Sequence, residues 1–289
     1  MKNFLQNHIP VIQAPVTRAE VDRYLSKNTG PVVIQGLVQT WPAWQKWTFD
    51  WFKKTYGDTV VPVESLKYVE GDGVARRIGQ VKDMTLATFV DRLPSCGFGE
   101  SGYVIGQDLF RMLPSLRDDI QFPRYHDLER LVEKAMFIGG TGTYTQLHYD
   151  RAQNLHAMLQ GQKRWQMYSP KKSRELRPLR YEFPWSVGSE YDVVAGANFS
   201  LEKIAAPDNL PGGLTPDYDF CIDAGDVLVV PYGWWHRVLT TEPAIATNYW
   251  WWNYSTLLQY VPGLVPELLK EQVRKVFKKK AVRRGYYED

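Results

Sequence analysis

Thr145-Gln-Leu-His148-Tyr-Asp150 is the stretch that most restricts what this chain can fold into. Residues two apart on a β-strand point to the same face, so a strand here presents an imidazole and a carboxylate side by side. A distant partner completes the pattern: His236, in Pro231-Tyr-Gly-Trp-Trp-His236. If His236 lies on a neighbouring strand, two nitrogens and one oxygen share one side of a metal ion and the other side stays open.

Two histidines and one carboxylate with open positions opposite are the ligand set of non-haem Fe(II) oxygenases. Neither half is decisive alone. His-x-Asp is a common pattern, few histidines are ligands, and a histidine beside Trp234 and Trp235 is more often a packed aromatic. The surroundings of both halves add weight. After His148 come Asn154 and Gly161-Gln-Lys163-Arg-Trp-Gln-Met-Tyr-Ser-Pro170; before His236 comes Asp223-Ala-Gly-Asp226-Val-Leu-Val-Val-Pro231, and after it Ala244-Ile-Ala-Thr-Asn248-Tyr-Trp. This order reads as turn, buried strand, ligand, hairpin, strand.

On those residues, the region from about Ile138 to Trp252 resembles the JmjC branch of the cupins, the Fe(II)- and 2-oxoglutarate-dependent oxygenases. It is most similar to the cupin-like hydroxylases typified by the asparaginyl hydroxylase that inhibits hypoxia-inducible factor. Gly30-Pro-Val-Val-Ile-Gln-Gly36 and Trp41-Pro-Ala-Trp-Gln-Lys-Trp47 extend the likeness towards the N-terminus. The resemblance implies a mainly β fold, a double-stranded β-helix or jelly roll, with flanking N-terminal α/β elements and C-terminal helices. It implies iron ligation by His148, Asp150 and His236, and pairing of Lys163 with the distal carboxylate of 2-oxoglutarate. Thr145, Asn154, Asn248 and, as a weaker match in Gly102-Tyr-Val-Ile-Gly106, Tyr103 are implied as further co-substrate contacts. The implied chemistry is oxidative decarboxylation of 2-oxoglutarate by O2, giving succinate, carbon dioxide and a hydroxylated product.

At 289 residues the chain could form one large domain or two small ones; the resemblance implies a single domain over residues 1–289, with flanking elements over 1–135, a jelly-roll core over 136–255 and a helical segment over 256–289. A content of 44% hydrophobic and 14% aromatic residues supplies a sizeable core and argues against disorder. The net charge of +3 is too small to imply nucleic acid. Cys96 and Cys221 form neither a disulfide framework nor a metal spacing. The first residues lack the apolar core of a signal peptide, and no apolar run is long enough to span a membrane. A cytoplasmic chain is expected.

Along the chain, Arg18 to Lys27 is amphipathic and Val32 to Ile34 is a short buried strand ending at the turn residue Gly36. Trp41, Trp44, Trp47 and Trp51 recur at helical spacing. Core packing explains such a stripe better than an aromatic binding surface. Thr48 is placed as a helix N-cap, Val60 to Val63 as a strand and Thr85 to Leu93 as a short helix. Leu109 to Val132 reads as loops and short helices, with His126 at the surface or satisfied. Gly139-Gly-Thr-Gly142 lacks the context of a phosphate loop and reads as a turn into the metal strand.

From Thr143 the period becomes strand-like. Asn154 to Leu159 is expected as one strand, Gly161 as a turn and Lys163 to Tyr168 as another strand. Lys163, Trp165 and Met167 share a face, and a lysine pointing inward with Trp and Met needs an anion. That anion is a protein carboxylate or a bound dicarboxylate. His156 has the inward parity of Asn154 and is read as structural or supporting. Residues 171–218, with Arg174, Arg177 and Arg180 among prolines, read as an insertion, either a lid for substrate or a surface excursion. After Pro262 an apolar stripe, Leu264, Leu268, Leu269, Val273, Val276 and Phe277, is followed by a basic run to Arg284. A homodimer through residues 262–284 is expected; packing on the barrel or an acidic or nucleic-acid partner are the alternatives.

Three functions remain open at this level. The first is hydroxylation of a C–H bond of an amino-acid side chain in a protein or peptide. The second uses the same Fe(II), 2-oxoglutarate and O2 on an N-methyl group or a small molecule. Histone demethylation is the less favoured form of it, because no chromatin-reader segment accompanies the domain. The third is a non-catalytic cupin binding module, against which the complete ligand set and Lys163 both count.

Overall fold

The computed structural model describes residues 9–25, 29–71, 74–93, 102–106, 108–122, 133–179, 186–189, 210 and 213–251. The apolar stripe and basic run beyond Pro262, with the expected dimer, lie outside the described residues, as do Cys96, His126, Arg180, Trp252 and part of the 171–218 insertion.

In chain order, β1 (Val11–Gln13) runs parallel to β2 (Val32–Gln35), with α1 (Arg18–Leu25) between them. Gly36 follows β2 with φ of 78°, the left-handed turn its type permits. The tryptophan stripe is core, as expected, but it is not one helix. Trp41 caps α2 (Pro42–Lys46), Trp47 ends it, and α3 (Phe49–Tyr56) starts afresh. Thr48 Oγ1 caps α3 by accepting from Trp51 N at 3.0 Å. Next come β3 (Val60–Gly71), β4 (Val74–Thr85), α4 (Leu86–Arg92) capped by Thr85, β5 (Gly102–Gly106) and α5 (Asp108–Met112). The barrel then continues with β6 (Glu133–Gly139), β7 (Tyr144–Asp150), β8 (Gln153–Tyr168), β9 (Ser186–Gly188), β10 (Tyr218–Asp223), β11 (Val227–Val230) and β12 (Trp235–Trp251).

Two long strands organise everything else. β8 and β12 pair antiparallel from Trp235↔Tyr168 to Trp251↔Gln153, and both bend midway. The expected turn at Gly161 and the expected hairpin after His236 are therefore corrected. Gly161, φ 70°, is a kink inside one continuous strand. Opposite it, β12 carries register shifts between Thr240 and Ala246. A Cβ at Gly161 would lie 2.0 Å from Pro243 O, so only glycine lets the two backbones cross here.

Because both strands bend, each serves two sheets. Their 153–160 and 245–251 halves sit in the larger sheet with β11 and β2 on one side and β6, β5, β3 and β4 on the other. Their 162–168 and 235–240 halves sit in the smaller sheet with β10 on one side and β7 and β9 on the other. Met158, Leu228 and Ala246 of the larger sheet meet Trp165, Met167, Phe220 and Val238 of the smaller one in a shared core. The result is a mainly β jelly roll, as the resemblance implies. A second core, with Trp41, Trp47, Phe52 and Phe89, fills the space between the larger sheet's outer face and the helices. The N-terminal strands expected only to flank the barrel are hydrogen-bonded into that sheet through β2 and β11.

The 171–218 stretch is also more integrated than a plain excursion. Its β9 pairs with β7, placing Gly188 opposite His148 and Ser186 opposite Asp150. Leu176, Val187 and Leu210 cover Leu147, Tyr168 and Trp235 on the smaller sheet's outer face. No sequence period signals a three-residue strand whose pairing is entirely non-local.

Candidate metal centre

β7 and β12 bring the three expected ligands together. His148 lies directly opposite His236 in the antiparallel pairing, their ring centroids 4.3 Å apart. Asp150, two residues beyond His148, shares its face, with its Oδ1 3.6 Å from His148 Nε2. One potential ligand atom from each of the three lies within 4.8 Å of the others.

The backbone selects which atoms face the common point. His148 Nδ1 donates to the Gln146 carbonyl at 2.7 Å, and His236 Nδ1 donates to the Trp234 carbonyl at 3.0 Å. An imidazole bonded in this way has, in its neutral form, its lone pair on Nε2. Asp150 Oδ2 accepts from Asn154 Nδ2 at 3.0 Å and from Trp250 Nε1 at 2.9 Å. Oδ1 is left towards the histidines. Burial pushes the Asp150 carboxyl up, but His148, the charge of His236 and the Trp250 N–H together outweigh it and hold it at about 2. Burial, reinforced by the charge of His148, brings His236 down to about 4. At neutral pH the centre therefore offers an anion and, at His236, an unprotonated nitrogen, as a divalent cation requires.

Lys163 is 2% exposed on the inner face of β8, beside Trp165 and Met167. Among the described residues no carboxylate pairs with it. Its Nζ reaches Tyr103 Oη at 3.4 Å and lies 5.5 Å from the Phe137 ring centroid. Burial alone lowers it to about 7. A buried cation with no carboxylate partner among the described residues is what a bound carboxylate would relieve. Tyr103 belongs to this group.

Thr145 is three residues from His148, so plain alternation would put it on the opposite face. A bulge between the His236↔His148 and Val238↔Thr145 pairs adds one residue to β7 and returns Thr145 to the inner side, opposite the core residue Val238. Asn154 and Asn248, the further co-substrate contacts the resemblance implies, are joined to the Asp150 carboxylate. Asn248 Nδ2 donates to Asn154 Oδ1 at 3.1 Å, and Asn154 donates onward to Asp150. Sequence reasoning missed Trp250, although its parity with Asn248 was a usable signal. It also missed Phe137, for which β6 offers no distinguishing mark.

A bent pair of facing sheets with two imidazoles and one carboxylate gathered on inner strands defines a cupin-type metal-binding fold. The cupin-like domain model matches residues 17–256. The chain belongs to that family, the JmjC-type branch of the 2-oxoglutarate oxygenases. It is 28% identical to lysine-specific demethylase 8 of Xenopus tropicalis over 251 residues, covering 84% of this chain and 52% of the relative. It is 28% identical to lysine-specific demethylase JMJ30 of Arabidopsis thaliana over 230 residues, covering 77% and 50%. It is 26% identical to tRNA wybutosine-synthesizing protein 5 of Gallus gallus over 265 residues, covering 85% and 79%. The chain thus spans about half the length of the demethylase relatives. Among the described residues no helix is long and apolar enough to cross a membrane.

Proposed function

We propose that the chain is an Fe(II)- and 2-oxoglutarate-dependent dioxygenase that hydroxylates a C–H bond of an amino-acid side chain in a protein or peptide. One observation carries this reading: the His148, Asp150 and His236 cluster shares the barrel interior with a buried lysine that has no carboxylate partner among the described residues. The donor set fits a divalent metal, and the orphaned cation fits the far carboxylate of a 2-oxo dicarboxylic acid.

In this reading His148 Nε2, Asp150 Oδ1 and His236 Nε2 hold the metal. Lys163, aided by Tyr103 and Thr145, anchors and orients the co-substrate. Iron with 2-oxoglutarate supplies the coupled decarboxylation and oxidation by O2. Trp165, Met158, Met167 and Val238 keep the interior dry, which strengthens the Lys163–carboxylate attraction and keeps water from the oxidising centre.

An N-methyl group is the second substrate class within this chemistry, favoured by the relatives named as lysine demethylases. Hydroxylation of such a methyl gives a hemiaminal that collapses to formaldehyde and the free amine. A substrate carried on RNA is a further version, favoured by the match to 79% of the wybutosine-synthesizing relative and by the basic run to Arg284.

Anaerobic Fe(II) titration with and without 2-oxoglutarate tests the core claim. A visible charge-transfer band that needs both components, and is absent in His236→Ala, supports it. Iron that does not bind sinks it. Product mass on peptide and tRNA substrates then separates oxygen gain from methyl loss and protein from RNA.

A further inference from the structure

His156 is the interior's other buried histidine, 3% exposed on the inner face of β8. Its Nδ1 lies 2.6 Å from Asn248 Oδ1. Asn248 Nδ2 donates to Asn154 Oδ1 at 3.1 Å, and Asn154 Nδ2 donates to Asp150 Oδ2 at 3.0 Å. All four residues are buried. We infer that His156 is a positioning residue, the first donor of a one-way hydrogen-bond chain that sets the orientation of the Asp150 carboxylate for metal binding.

The direction of the chain follows from donor and acceptor chemistry alone. An ionised carboxylate only accepts, so Asn154 must turn its NH2 towards Asp150. Its carbonyl oxygen then faces Asn248, which must answer with its own NH2. That leaves Asn248 Oδ1 facing His156, whose Nδ1 must carry the proton. Burial, with the nearby Lys163 charge, holds the imidazole neutral, so its single proton is the one used here. Nε2 is correspondingly bare, and it has no hydrogen-bond partner among the described residues. The ring is held on that side by packing, edge to face on Trp165 at a centroid distance of 4.9 Å.

Without His156 the last acceptor is orphaned, and Asn248, held only through its Nδ2, restrains Asn154 and the carboxylate less firmly. A leucine at 156 would fill comparable space and could not donate. A glutamine could still offer an amide N–H to Asn248.

The inference rests on the metal-binding reading, and a Co(II) titration of metal-free protein, followed by its visible ligand-field bands, distinguishes the two. The expected result is that His156→Leu weakens Co(II) binding about 10- to 100-fold, the usual effect of losing a group that orients a ligand. His156→Gln stays close to wild type. In an Asn154→Ala background, His156→Leu has little further effect, because the chain is already cut; a general packing defect would instead add its full effect. Equal Co(II) affinity of wild type and His156→Leu overturns the inference and leaves the metal centre standing. Failure of the wild type to bind Co(II) overturns both. The wild-type protein gives a check that needs no variant: 15N NMR should find the His156 proton on Nδ1, and a proton on Nε2 overturns the chain's direction.

Discussion

Trp250 Nε1 donates to Asp150 Oδ2 at 2.9 Å, so an indole from the far half of β12 grips a carboxylate at the end of β7. Together with Asn154 Nδ2 this occupies one carboxylate oxygen and leaves the other for the cluster. Trp250→Phe keeps the ring and removes the donor. Metal affinity should fall about 10- to 100-fold, whereas stability should fall only by about 0.5–1.5 kcal/mol, the net value of one hydrogen bond. Metal titration beside urea unfolding measures the two effects. An unchanged affinity would mean that Asn154 alone orients Asp150.

Lys163 is a cation retained at the expense of stability. Lys163→Met should stabilise the ligand-free protein at pH 7 by about 1–3 kcal/mol, since it removes a buried ammonium that has only a long hydrogen bond to Tyr103 and no carboxylate partner among the described residues. It should also abolish the thermal shift produced by 2-oxoglutarate. A loss of stability in the variant would show that Lys163 has a structural partner.

The same lysine predicts how pH acts on co-substrate binding. Its folded-state value of about 7 lies below its ordinary 10.5, so it loses charge as pH rises through 7. The apparent affinity for 2-oxoglutarate should fall along that limb. Stability of the ligand-free protein should move the other way. Between 7 and 10.5 the unfolded chain binds more protons than the folded one, so stability rises with pH across that window. On the acid side, His236 at about 4 is depressed from 6.5; stability from this group is full above 6.5 and is lost as pH falls through 4. Calorimetric Tm and 2-oxoglutarate affinity, each measured from pH 6 to 9.5, test the alkaline limb.

Gly161→Ala should be among the most damaging small substitutions outside the centre. The added methyl meets Pro243 O at 2.0 Å, and the backbone there has φ of 70°. A loss on the order of 2–4 kcal/mol is expected from strain and clash combined, read by chemical denaturation. A near-neutral result would mean that the bulge facing it on β12 can move aside.

Much of the centre was legible before any coordinates. The two-residue spacing of His148 and Asp150 places them on one face of any strand. Lys163 among Trp165 and Met167 demanded an anion on grounds of burial alone. Thr48 and Gly36 marked element ends through local capping and turn chemistry, and these marks hold. What failed was the reading of Gly161 as a turn and of the stretch after His236 as a hairpin. A glycine with positive φ serves a tight turn or a kink equally well, and only the partner strand decides between them.

The sequence by itself determined the shared strand parity of His148 and Asp150 and of Lys163, Trp165 and Met167, because parity depends on residues close together in the chain. The tertiary structure decided the rest. It set His236 opposite His148, brought Thr145 inward through a bulge, recruited β9 from the 171–218 stretch and linked His156 to Asp150 through two asparagines. Each of these depends on the register between strands remote in sequence, and register is set by the packing of whole sheets rather than by any local period.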